Sequence, residues 1–166
     1  MKTLSMAVII ASCVMLGIIL NKNEESKIKR QELLISFLQD VKAHLECTLF
    51  STKEMFLSLS ENSEYRKLDF LEECCGLLKK GFDFPVSYKT AVNNETQLTQ
   101  PCKKIMLSLC EKLGTTDLSG QLSYIELSIN KIKNECEQLK EKYRKKENMY
   151  LPLSALTGIG IAIMMY

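Results

Sequence analysis

Apolar residues in this chain occur in two arrangements, an unbroken run near each end and a three-or-four-residue periodicity between them. Residues 6–20 and 150–166 carry no charge. With 15 and 17 residues respectively, they lie at the short end of the roughly 17–25 an α-helix needs to cross about 30 Å of hydrocarbon. Both runs are therefore expected to be transmembrane helices crossing with little tilt.

Between them the pattern is helical nearly throughout, since only three prolines and seven glycines interrupt 166 residues and no stretch alternates long enough to argue for a strand. From Gln31, the positions Leu34, Phe37, Leu38, Val41, Leu45 and Leu49 mark one helix face. This helix is placed to continue from the first apolar run. Ser51-Thr52-Lys53-Glu54 has capping-box spacing, which predicts a break and restart with Met55, Phe56 and Leu59 facing inward. A further helix is expected from about Tyr65 through Leu68, Leu71, Cys75 and Leu78, ended by Gly81 in the left-handed conformation. Pro85 opens a short helix through Val92 that Asn93 and Asn94 close. Pro101 opens the next, with Ile105, Leu109 and Leu113 on one face and Gly114 just past its end.

The longest element is the most regular. Leu118, Leu122, Ile125, Ile129, Ile132, Cys136, Leu139 and Tyr143 follow the 3.5-residue period of a coiled-coil seam. Asp117 is placed to cap its start by accepting a hydrogen bond from a backbone amide, and the helix is expected to run into the second apolar stretch, with Pro152 as a kink. The seam can pack inside the chain against the helix of Leu34 and Val41, or against a second copy. The fold class is all-α: a helical bundle over residues 22–149, flanked by transmembrane helices at 1–21 and 150–166.

Charge orients this arrangement. All 20 acidic residues and all but one of the 22 basic ones lie within residues 22–149, and Lys22, Lys27, Lys29 and Arg30 follow the first run as Lys140, Lys142, Arg144, Lys145 and Lys146 precede the second. By the positive-inside rule the bundle faces the cytoplasm and both termini face out. Ile10-Ala11-Ser12-Cys13 resembles a lipoprotein cleavage site, but seven more apolar residues follow Cys13, which favours a retained span. A near-neutral bundle with its positive charge gathered beside the membrane is not a nucleic-acid footprint.

Candidate chemistry is sparse. Seven cysteines, an odd number without paired spacing, indicate reduced thiols rather than a disulfide framework. The single histidine, His44, lies three residues before Cys47, and no further ligand spacing supports a metal. There is no phosphate-cradling glycine loop and no nucleophile turn, so neither catalysis nor a cofactor is expected. Ser154, Gly158 and Ala162 form a small-residue stripe suited to close packing of membrane helices.

An apolar start, a helical middle, then Leu113-Gly114-Thr115-Thr116-Asp117 with Gln121 one turn on, a long charged helix ending Lys146-Glu147-Asn148-Met149-Tyr150 and a final apolar run together resemble the stage III sporulation protein AB family. The resemblance spans essentially the whole chain and is strongest over residues 109–166. This sequence has Leu153-Ser154 where the family tends to have Leu-Gly, and no central tryptophan.

The resemblance implies a non-enzymatic membrane platform in the sporulation channel between mother cell and forespore. It would lie in the outer forespore membrane with its bundle on the mother-cell side. Its implied partners are the lipid bilayer, a secretion-type motor ATPase like stage III sporulation protein AA, and other channel membrane proteins. Gly114, Asp117 and Gln121 are then candidates for a hinge or partner interface, with Gln121 expected on an exposed side. The alternative is a membrane-tethered scaffold or signalling module that forms a homo-oligomer through the heptad seam.

Overall fold

The structure, a computed structural model, describes residues 25–47 and 51–145 with their side chains and residues 2–24 and 146–164 as helical backbone. The described residues form helices and no strand: α1 (Lys2–Cys47), α2 (Thr52–Ser60), a 3-10 turn (Ser63–Lys67), α3 (Asp69–Lys79), α4 (Phe84–Asn94), α5 (Gln100–Cys110) and α6 (Leu118–Met164). By contact the chain divides into two units. One groups Met1–Ile28 with Gln138–Tyr166, and the other is Lys29–Glu137. The expected membrane spans at 1–21 and 150–166, the stripe Ser154, Gly158 and Ala162, and the expected kink at Pro152 all fall where side chains lie outside the described residues. Among the described residues no helix is long and apolar enough to cross a membrane.

Lys29–Glu137 is a helical bundle built on the predicted faces. Leu34, Phe37, Leu38 and Val41 of α1 are fully buried, and Leu45 packs at the edge. Leu49 lies outside the described residues. Phe37 organises the packing, with its ring edge-to-face against Phe56 at 5.6 Å, Tyr65 at 5.4 Å and Phe70 at 5.8 Å. One α1 side chain thereby ties together α2, the 3-10 turn and α3. Fully burying a side chain of this size stabilises by roughly 1.5–3 kcal/mol, with a further contribution of about 0.5–1.5 kcal/mol for each such ring pair. Burial raises the Tyr65 phenol well above its usual range, and its hydroxyl donates to Asp40.

The local signals around α2 hold as predicted. Ser51 accepts from the Glu54 amide while the Glu54 carboxylate accepts from the Ser51 amide, which lowers the Glu54 pKa chiefly through that backbone hydrogen bond. Met55, Phe56 and Leu59 are buried.

The segment expected as one helix from Tyr65 is two elements. Asn62 Oδ1 accepts from the Glu64 amide and starts a separate 3-10 turn, and Leu68 is extended at φ −93°, ψ 90°, so α3 begins only at Asp69. Gly81, at φ 91°, ends α3 as predicted, with the Phe82 amide donating back to the Leu77 carbonyl.

In α5 the buried face is Cys102, Met106, Leu109 and Cys110, while Ile105 is only partly buried. The α6 seam is inside the bundle only in its middle. Ile125, Ile129 and Ile132 join the common core and Cys136 is buried beyond them, whereas Leu118 is 51% exposed. Leu139 and Tyr143, half-buried, belong to the other unit. The three isoleucines are thus packed within the chain, in the common core that also holds Leu34 and Val41.

Candidate functional site

Two polar constructions stand out in the bundle: the predicted turn before α6 and a buried cluster around Glu95. In the turn, α5 ends at Cys110, and the chain passes through Leu113, buried, to Gly114 at φ 75°. That conformation is strained for any residue with a Cβ, and a Cβ there would also sit 3.3 Å from Thr52 Oγ1.

Gln121 closes the turn from the first coils of α6. Its Oε1 accepts from the Gly114 amide at 3.1 Å, and its Nε2 donates to the Thr116 carbonyl at 2.8 Å. Thr115 Oγ1 and Thr116 Oγ1 donate back to the carbonyls of Glu111 and Lys112 at 2.7 and 3.2 Å. Gln121 is therefore a half-buried staple, not the exposed-side residue expected. Asp117 also differs from expectation. Its carboxylate accepts from the Ser119 hydroxyl rather than from a backbone amide, and Oδ1 occupies the space where a Cβ on Gly120 would fall, at 2.7 Å. Gly114, Asp117 and Gln121 are brought together as one unit that fixes how α5 leads into α6.

No sequence motif marks the second construction. Glu95 terminates α4, where its amide donates to the Ala91 carbonyl, and its side chain is fully buried. Oε2 accepts from the Phe70 amide at 3.2 Å, in the first turn of α3, and Oε1 accepts from the Gln97 amide at 2.9 Å. Leu68, the residue before α3, offers no side-chain cap. Glu95 thus ends one helix and supplies the missing cap of another, with its negative charge at the positive end of the α3 dipole.

Arg30 of α1 completes the cluster, with Nη1 3.3 Å from both Glu95 oxygens and 2.8 Å from Asp69 Oδ2. Beside it Gln31, fully buried, donates to Thr99 Oγ1 at 3.0 Å. By sequence, Arg30 is one of the membrane-flanking charges and Glu95 belongs to no motif that sets it apart. No short-range spacing could have linked two residues on different helices, so the only available signal was an acidic residue directly after the α4 pattern ends.

Nothing in either construction is set up for bond chemistry. Their polar groups hold one another, and among the described residues no three His, Cys, Asp or Glu side chains are grouped to bind a metal ion. Burial pushes the Cys74 thiol up to about 12 and the Cys110 thiol to about 11, and it also raises Cys75 and Cys102. At neutral pH they are un-ionised apolar packing groups rather than nucleophiles.

The family model for stage III sporulation protein AB matches residues 2–166. The chain belongs to the stage III sporulation protein AB family. No curated protein and no solved structure matches it. Membership implies a role in the stage III sporulation apparatus. In this family member, the Gly114–Gln121 staple and the Arg30–Glu95 cluster are devices that fix helix geometry.

Proposed function

We propose that this family member is a non-enzymatic membrane platform of the sporulation channel, anchored by helices at residues 6–20 and 150–166, which docks a secretion-type motor ATPase on its cytoplasmic, mother-cell face. The observation that carries the reading is the family match over residues 2–166, which includes both apolar runs. The one-sided basic flanks support the orientation. The bundle supports the platform role physically. A part that receives conformational work must move as a body, and here Arg30, Asp69 and Glu95 tie α1, α3 and α4 together while the Gly114–Gln121 staple ties α5 to α6.

Two measurements on the full chain in membranes test this. In sporulating cells whose mother-cell membrane has been opened and whose forespore is intact, added protease should digest residues 22–149, and the motor ATPase should co-purify with the chain from detergent extracts. Protection of the bundle from that protease overturns the topology. Absence of the ATPase from the purified material overturns the platform reading.

A further inference from the structure

A groove of about 560 Å³ runs beside α3, lined by Ser60, Arg66, Glu72, Cys75, Gly76 and Lys79 among others. Glu72, Cys75, Gly76 and Lys79 fall on one face of α3 and cover roughly 10 Å of its length at about 1.5 Å per residue. Arg66 lies in the 3-10 turn that precedes α3, and Lys79 is the last residue of the helix, so the two cations stand at opposite ends of it. Each is followed by another exposed lysine, Lys67 or Lys80. None of the four pairs with a described carboxylate, in contrast to Arg30, Lys42 and Lys89. Glu72 is the groove's one carboxylate. Between the charged positions the floor is Cys75, buried, and Gly76, where an added Cβ would meet nothing within 4 Å.

We propose that this groove is the docking site for an acidic segment of the partner ATPase, a proposal that rests on the platform reading above. Carboxylates of that segment would face Arg66 and Lys79, and an apolar side chain would lie over Gly76 and Cys75. Glu72 sets the register, because a carboxylate opposite it is repelled while one at either end is attracted. A groove whose lining follows α3 from Arg66 to Lys79 suits a peptide or helix laid against that helix. A small metabolite is usually enclosed over most of its surface. Gly76 gives the partner close approach to the α3 backbone.

The test uses the full chain in detergent and the ATPase, with affinity measured at low and high salt. Gly76→Leu fills the groove from a helical position with open space above it, so the thermal midpoint should hold or rise while ATPase affinity falls by at least about tenfold. Arg66→Glu with Lys79→Glu, both at exposed positions, should cause a similar loss and flatten the salt dependence seen in the parent. If the parent binds and both variants bind equally well, the groove is not the docking site and the platform reading stands. If Gly76→Leu fails to fold, the charge-reversed variant decides. If the parent itself does not bind the ATPase, the platform reading falls and the groove proposal with it.

Discussion

Arg30 Nη1 lies 3.3 Å from each carboxylate oxygen of Glu95, although 65 residues separate the two, and the same carboxylate caps the start of α3. The pair is unlike the ion pair of Lys42 and Glu126, which bridges α1 and α6 at the surface. Removing Arg30 leaves a fully buried carboxylate without its charge partner. Arg30→Ala should therefore cost about 3–5 kcal/mol, whereas Lys42→Ala should cost under about 1 kcal/mol. Urea denaturation of the two variants checks this, and equal midpoints would mean that the cluster does not hold α1 in place.

Gln121 uses both ends of its amide to close the turn before α6. At about 0.5–1.5 kcal/mol for each of the two hydrogen bonds, Gln121→Ala should destabilise by roughly 1–3 kcal/mol. Gln121→Glu keeps an acceptor for the Gly114 amide but sets a carboxylate oxygen against the Thr116 carbonyl in place of the donor, so it should not recover the stability lost in Gln121→Ala. Hydrogen exchange at the Gly114 amide should quicken in Gln121→Ala. Unchanged exchange there would show that the staple is open in solution.

The middle of the α6 seam is core and its neighbours are not. Ile132 is fully buried and Leu127 is 47% exposed. Ile132→Ala should cost about 2–5 kcal/mol through lost burial and a cavity. Leu127→Ala should change stability by less than about 0.5 kcal/mol. Thermal melting of both separates an intramolecular seam from a dimer seam: a melting midpoint independent of protein concentration is expected. A midpoint that rises with concentration would restore the homo-oligomer alternative.

Among the described cysteines only Cys47 is exposed. In a Cys13→Ser background, a thiol reagent at pH 8 should modify one cysteine quickly and the buried five only as the protein unfolds. The buried thiols also set an alkaline limit. Cys74 and Cys110 have folded pKa values of about 12 and about 11 against 9.0 in the open chain. Above pH 9 the unfolded state releases protons that the folded state retains, so their contribution to stability is intact below pH 9 and is lost as pH rises toward 11–12. Denaturation midpoints measured from pH 8 to 11 should fall, and less steeply in Cys74→Ala.

The sequence by itself determined whatever depends on neighbours within a turn or two of helix. The capping box of Ser51 and Glu54, the left-handed glycines 81 and 114, the prolines that open α4 and α5, and the inward face of Leu34, Phe37, Leu38 and Val41 are all consequences of 3.6-residue geometry and of unpaired backbone groups at helix ends. The same local logic marked Gly114 and Asp117 at the turn before α6, whereas Gln121 came from the family resemblance, which the residues at both ends of the chain helped to carry.

What only the tertiary structure decided are relationships between residues on different elements. Periodicity says that Leu118 and Ile125 share a face, but not that the rest of the bundle covers Ile125 and leaves Leu118 open to solvent. The extended backbone at Leu68 separates the 3-10 turn of Tyr65 from α3, and a carboxylate arriving from the end of α4 caps that helix. Glu95 could be buried only once two backbone amides and Arg30 converged on it, because a carboxylate leaves water only where other groups replace the hydrogen bonds and charge stabilisation it loses. That convergence is a property of the packed bundle, and no spacing along the chain encodes it.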